Sequence, residues 1–339
     1  MVLHSATEIL KAIASVEDPK IVITTHHKPD ADAMGSSLGL KLFLESIGYN
    51  ATVISPTDYA SFLKWMKSDE QTIVYEHNPT HAKALTDEAD FIFCLDFNHL
   101  SRINEYGDVV ADSNAKKILI DHHQFPQGFE DYTFWDDTAS STCELVYRFI
   151  HANGLEHKID KDAAACLYTG IVTDTGSFRF GSCSSETMRI AASLMDKGIK
   201  HEEIFDRVYD SFTESRLRFI GYAISEKLEV MHEYNTALIT ITKEELKKYG
   251  VVTGDTEGLV NYGLSIGGIK FAVLIIDRTK IVKMSFRSKG DFAANVFAMQ
   301  HFNGGGHFHA AGGSSFVSLE ETAAQFKTAL KLYKGQLNG

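Results

Sequence analysis

Acidic and histidine side chains fall into four clusters within residues 26–174 of this 339-residue chain. They read His26-His27-Lys28-Pro29-Asp30-Ala31-Asp32, then Asp96, then Asp121-His122-His123, then Asp174. Carboxylates and imidazoles hold divalent cations such as Mn²⁺ and Zn²⁺. A two-metal hydrolytic site needs several such ligands, at least one of them shared, around cations about 3.5–4 Å apart. His26, Asp30, Asp32, Asp96, His122 and Asp174 would supply six side chains. Asp30 and Asp32 sit two apart and can diverge, one towards each cation. Asp96 stands alone and suits a bridging position. Pro29 stiffens the first cluster, and Gly35 lets the helix that follows start close by. Of the adjacent His26 and His27, the residues alone leave open which one ligates.

Three of the four clusters follow short apolar runs. Lys20–Thr25 precedes His26, Phe91–Leu95 precedes Asp96, and Lys117–Ile120 precedes Asp121. Near-continuous apolar strands alternating with helical spacing predict a doubly wound, mostly parallel sheet covered on both faces. Such sheets bind ligands at the carboxyl ends of their strands. A loop-end Asp or His that merely caps a helix is the plainer explanation for any single cluster. It does not explain three strand ends that carry both residue types.

Helical spacing covers Ala33–Gly48, Ser141–Ala152 and Lys161–Val172, with capping boxes at Ser5/Glu8 and Ser141/Glu144. A run of helices follows at 185–228. Strand patterns return at Tyr234–Thr242, Phe271–Ile276 and Ile281–Arg287. The expected organisation is an α/β domain over 1–185 with the metal site, a helical linker over 186–228, and a smaller C-terminal α+β domain over 229–339. The last domain holds Asn303-Gly304-Gly305-Gly306-His307-Phe308-His309-Ala310-Ala311-Gly312-Gly313. Three successive glycines can turn their N–H groups inward as an anion nest. His307 would add a donor, and Arg287-Ser288 upstream would add a guanidinium suited to phosphate.

These motifs resemble the DHH phosphoesterase superfamily. HHKPDADAMGSS, the lone Asp96, DHH at 121–123 and GGGHFHAAGG at 304–313 carry the likeness, and the last segment is similar to its DHHA1 domain. Within the superfamily, size and domain order resemble the bifunctional oligoribonuclease (nanoRNase) and pAp phosphatase branch. The resemblance implies one cation on His26, Asp30 and Asp96 and a second on Asp32, Asp96, His122 and Asp174. It favours His26 over His27. It implies that His123 faces the scissile phosphate and that Asp121 orients a ligating imidazole. The implied cofactor is two Mn²⁺ ions, with Mg²⁺ or another divalent metal as alternatives. The implied substrates are short oligoribonucleotides, cut to 5′-mononucleotides, and pAp, converted to AMP. Gly305, Gly306 and His307 would contact substrate, with Arg287, Ser288 and Arg102 as further candidates. A cyclic or linear dinucleotide phosphodiesterase would use the same residues. A catalytically silent nucleotide-binding module is the reading from another class, and the presence of all six ligands favours an enzyme.

The net charge of −12 is uneven: residues 1–215 carry −16 and residues 216–339 carry +4. Such a chain is a poor candidate for gripping long duplex nucleic acid through many phosphates. Bound cations would reverse the local field for a small anionic substrate. No apolar stretch approaches the roughly 20 residues that span a bilayer, and Met1–Lys20 has no secretory pattern. Four scattered cysteines (Cys94, Cys143, Cys166, Cys183) read as reduced, buried thiols, so the cytoplasm is the expected compartment. A homodimer is allowed.

Overall fold

The structure, a computed structural model, describes residues 3–252 and 254–339. The chain divides into two units, Met1–Ser211 and Phe212–Gly339.

The strands of the first unit are β1 (Ile21–Thr25), β2 (Ala51–Ser55), β3 (Ile73–Val74), β4 (Phe91–Leu95), β5 (Lys116–Asp121) and β6 (Tyr132–Trp135). Its helices are α1 (Ala6–Ala14), α2 (Ala31–Ser46), α3 (Pro79–Asp87), α4 (Tyr106–Asp112), α5 (Thr142–Ala152), α6 (Lys161–Asp174), α7 (Ser185–Met195) and α8 (His201–Tyr209). All pairings in this sheet are parallel, in the order β3-β2-β1-β4-β5-β6. Alternate residues of each strand feed two cores. Ile21, Ile23, Phe93, Leu95 and Ile120 pack on one face. Val22, Ile92, Cys94 and Leu119 pack on the other. Burial on both faces is why these runs are almost wholly apolar. The strand order reverses between β1 and β4, which opens a crevice beyond their carboxyl ends. His26 and Asp96 are the first residues past those ends.

Three local differences from the sequence reading bear on the site. Helix α2 begins at Ala31, because Asp30 caps it through the N–H groups of Asp32 and Ala33. Gly35 serves helix packing and not the approach to the site: a Cβ there would lie 2.5 Å from the Cys166 carbonyl on α6. The Ser5/Glu8 capping box forms as expected. At α5 only half of the expected box forms. Ser141 Oγ accepts from Glu144 N, while the Glu144 carboxylate turns to Ser140 and Thr187.

The second unit contains α9 (Glu214–Glu226), β7 (Leu228–Met231), β8 (Thr236–Ile241), α10 (Lys243–Lys248), α11 (Leu259–Leu264), β9 (Phe271–Asp277), β10 (Val282–Ser288), α12 (Ala294–His301), β11 (Gly305–His307), β12 (Ala310–Ser315), α13 (Leu319–Leu330) and α14 (Lys334–Asn338). Its sheet runs β11-β12-β10-β9-β8-β7, with β8–β9 parallel and the other pairs antiparallel. Phe271, Phe286, Phe297 and Phe326 centre one of its cores. Of the helices expected at 185–228, α7 and α8 fall in the first unit and α9 in the second. Cys94, Cys143 and Cys166 are buried free thiols, and Cys183 is half-buried. Among the described residues no helix is long and apolar enough to cross a membrane.

Candidate metal centre

The first unit gathers His26, Asp30, Asp32, Asp96, Asp121, His122, His123 and Asp174 at the carboxyl edge of its sheet. They form two principal groups, His26–Asp30–Asp96 and Asp32–His122–Asp174. Each residue is delivered by an element end. His26 follows β1, Asp96 follows β4, Asp121 closes β5, and Asp174 closes α6. Asp30 and Asp32 sit at the start of α2. Asp30 spends Oδ1 on capping that helix, which leaves Oδ2 facing His26 Nε2 at 3.8 Å.

Asp96 joins the two groups. Its carboxylate is almost fully buried, with Oδ2 3.4 Å from His26 Nε2 and Oδ1 3.5 Å from His122 Nε2. Its backbone has φ 63°, the left-handed region that non-glycine residues seldom enter. Aspartate tolerates it better than most, and such strain concentrates at functional sites. His122 Nε2 also lies 3.8 Å from Asp32 Oδ2 and 3.4 Å from Asp174 Oδ2.

The imidazoles are set by backbone carbonyls. His26 Nδ1 lies 3.0 Å from its neighbour's carbonyl, His27 O, and His122 Nδ1 lies 3.2 Å from Ala139 O. A carbonyl only accepts, so each Nδ1 carries the proton and each Nε2 is left towards the carboxylates. A neutral Nε2 is an acceptor, and it faces carboxylate oxygens that are acceptors too. Only a proton or a cation between them makes that arrangement favourable. The separations of 3.4–3.8 Å exceed hydrogen-bond distances. They are close to the roughly 3.0–3.5 Å between two ligands of one cation with bonds of about 2.1 Å. The donor set therefore fits a divalent metal.

Without metal, protons stand in. Burial opposes a charged His26, yet Asp30 and Asp96 beside it hold its pKa up to about 10. His122 is raised well above the ordinary imidazole range, since Asp96, Asp174 and Asp32 outweigh its burial. Burial, and then the charge of Asp96, push Asp32 up to about 7. Burial and the charge of Asp32 raise Asp174 as well. Asp96 is held well below the usual carboxylate range because His122 and His26 overcome its own burial. Crowded carboxylates that cannot all ionise in the absence of cations define a site built for positive charge.

His123 differs from its neighbour. Its Nδ1 lies 2.8 Å from Asp121 Oδ1, and its carbonyl accepts from Trp135 Nε1 at 2.7 Å. Asp121 was expected behind a ligating imidazole. It holds His123 instead, and Ala139 O takes that place for His122. The other oxygen of Asp121, Oδ2, is buried and has no hydrogen bond among the described residues. His27 is partly exposed and contributes its main chain, its N–H donating to Arg102 O at 2.8 Å. Arg102 sits on the short turn Leu100–Ile103 beyond Asp96.

Several groups that hold the ligands were not singled out from sequence. Thr142 N and Cys143 N donate to Asp32 Oδ2 and Oδ1 at 2.7 and 2.9 Å, and Thr142 Oγ1 donates to Asp96 Oδ1 at 3.0 Å. The Ser141 N-cap marked where this helix begins but not what its first turn would meet.

In the second unit the glycine run is an edge strand and not a nest. Gly305 to His307 pair with Gly312 to Ala310 in a tight hairpin. A Cβ on Gly304 would lie 2.1 Å from Gly312 O, and one on Gly306 (φ 136°) 2.6 Å from Ala310 O. Hairpin packing therefore accounts for these two glycines. Gly305 is different, because among the described residues its Cβ would meet only Met299, at 4.0 Å. Arg287 is half-buried on β10, with Nη1 donating to Phe286 O. Ser288 points inward and is 5% exposed. Its hydroxyl donates to Phe292 O and also meets His309 Nδ1 at 3.0 Å, so it braces the hairpin and is not placed as a phosphate contact. The strand's alternation turned it inward.

A doubly wound α/β unit with shared carboxylate–imidazole groups at its switch point, followed by a mixed-sheet unit, defines a class of metal-assisted hydrolases. The model of the DHH family N-terminal domain matches residues 20–171, and that of the DHHA1 domain matches residues 235–338. A bifunctional oligoribonuclease and PAP phosphatase, NrnA, of Thermus thermophilus is 33% identical over 91% of this chain and 87% of its own length. The Bacillus subtilis protein of the same name is 28% identical over 96% of this chain and 98% of its own length. The crystal structure of an exopolyphosphatase-related protein from Bacteroides fragilis superposes with a TM-score of 0.93 at 42% identity, over 98% of both chains. The chain belongs to the DHH phosphoesterase family, with a DHH domain followed by a DHHA1 domain.

Proposed function

We propose that this protein is a divalent-metal-dependent phosphoesterase that hydrolyses short oligoribonucleotides to 5′-mononucleotides and pAp to AMP. The observation that carries the reading is Asp96, buried with one oxygen towards each ligand group. The names of the Thermus and Bacillus relatives supply the substrate class. His26, Asp30 and Asp96 are assigned to one cation, and Asp32, Asp96, His122 and Asp174 to the other. Mn²⁺ is the metal we favour for this mixed oxygen and imidazole set. Bound cations would supply Lewis acidity, lowering the pKa of water and offsetting charge on the phosphoryl oxygens.

The chain's own residues do the rest. Backbone carbonyls keep the Nε2 atoms of His26 and His122 turned inward. Asp121 accepts from His123 Nδ1 and fixes the orientation of the ring, whose Nε2 is assigned to face a phosphate oxygen. Gly305, Gly306, His307 and Arg287 are assigned to substrate binding, with Arg102 as a further candidate. The room beside Gly305 supports close approach of a ligand to the main chain.

The purified protein, with Mn²⁺, should release mononucleotides from di- and trinucleotides and AMP from pAp. It should act more slowly on long RNA, a cyclic dinucleotide and pyrophosphate. Turnover of none of the short substrates, or faster turnover of the cyclic dinucleotide, would overturn the assignment.

A further inference from the structure

Three ligands of the metal centre come from three separate elements, Asp32 from the start of α2, Asp96 from the end of β4 and His122 from the end of β5, yet one five-residue segment holds all three. Ala139 O orients His122, Thr142 N and Cys143 N take the two oxygens of Asp32, and Thr142 Oγ1 takes Asp96 Oδ1. The segment Ala139–Cys143 contributes no ligand to either group. It leads into the first turn of α5, whose leading N–H groups have no partner within the helix and whose positive end suits a buried anion.

From this geometry we infer that Ala139–Cys143 is the positioning element of the metal centre, with Thr142 as its central positioning residue. The inference rests on the metal-site reading proposed above. Thr142 bonds one carboxylate from each group, Asp32 through its N–H and the shared Asp96 through its hydroxyl. It therefore sets the spacing between the groups. The two bonds also divide its roles. The N–H anchors Asp32 whatever side chain is present, and the hydroxyl donates to Asp96 Oδ1 at 3.0 Å, closer than His122 Nε2 at 3.5 Å or His123 Nδ1 at 3.6 Å. Thr142 is fully buried, so water cannot replace that hydroxyl without moving the helix. Residues that hold ligands from behind commonly change metal affinity by about 10–100-fold when replaced.

Thr142→Val keeps the shape and the N–H and removes only the donor. Thr142→Ser keeps the donor and removes a methyl group. Mn²⁺ binding to the metal-free full-length chain is followed by titration calorimetry, without substrate. Alongside it, kcat and KM are measured on a dinucleotide, and folding is checked by circular dichroism. The Val variant should bind Mn²⁺ about 10–100-fold more weakly. At saturating Mn²⁺ its kcat should fall and its KM stay near wild type. The Ser variant should be restored to within a few-fold on every measure.

A folded Val variant with wild-type Mn²⁺ affinity would overturn the inference. A Ser variant as impaired as Val would also overturn it, because packing of the methyl group and not the hydroxyl would then matter. If the wild type binds Mn²⁺ but cleaves none of the substrates, the functional proposal fails while the calorimetric comparison still decides the role of Thr142. If the wild type binds no divalent cation, both fall.

Discussion

At the scale of the residue, the site is a set of crowded negative charges, those of Asp32 and Asp96 buried, arranged so that protons hold the place of cations. Asp32 is pushed up to about 7 and His26 up to about 10. Both must lose a proton to ligate metal. Each displaced proton steepens the dependence of affinity on pH by about tenfold per unit. Mn²⁺ affinity should therefore rise at least about tenfold per pH unit between 6 and 8, more steeply below 7, where Asp32 is also protonated. Calorimetry in buffers of different ionisation enthalpy would count the released protons, and a flat profile would contradict the raised pKa values. Asp96→Asn keeps the shape of the shared ligand and removes its charge. It should cut activity by more than the roughly 100-fold typical of residues behind the ligands, while the far-ultraviolet circular dichroism stays unchanged. Activity near wild type at saturating Mn²⁺ would remove Asp96 from the bridge.

At the scale of the element, close helix packing controls the ligands as much as the strands do. Gly170 of α6 lies against α2 and α5, and a Cβ there would sit 2.3 Å from Cys143 Sγ and 2.7 Å from Asp32 Oδ1. Gly170→Ala must push α6 away or displace Asp32. Overpacking of this kind costs about 1–3 kcal/mol. Thermal unfolding and Mn²⁺ titration should both show a loss, and an Ala variant with wild-type values would show that the contact relaxes freely.

The strand-end ligands were legible in the sequence because apolar, β-branched runs stop abruptly at Thr25, Leu95 and Ile120, and a charged or imidazole residue follows each. Strands β3 and β6 were not read. The first is two residues long, and the second carries a mixed aromatic pattern. Nor could the sequence show that the carbonyls of His27 and Ala139 orient imidazoles, since a carbonyl has no side-chain signature. Thr142 meets Asp32 and Asp96 across 110 and 46 positions, contacts that exist only once the sheet has formed. In the second unit the glycine run was legible as special, but its pairing into a hairpin required the partner strand.

At the scale of the whole molecule, the charge distribution limits how a polyanion can be held. The first 215 residues carry −16, so the protein cannot rely on many simultaneous phosphate contacts. Binding of a dinucleotide through about one phosphate should change KM only about threefold between 50 and 200 mM salt, whereas six to ten contacts would cost about 10³–10⁵. A steep salt dependence of KM would contradict recognition by metal and a few local contacts.

Crystals of the protein grown with Mn²⁺ and measured at the manganese absorption edge test the central claim most directly. The account predicts two anomalous peaks about 3.5–4 Å apart, both bonded to Asp96, one also to His26 and Asp30 and the other to Asp32, His122 and Asp174. A single peak, peaks away from Asp96, or none in the crevice beyond β1 and β4 would contradict it.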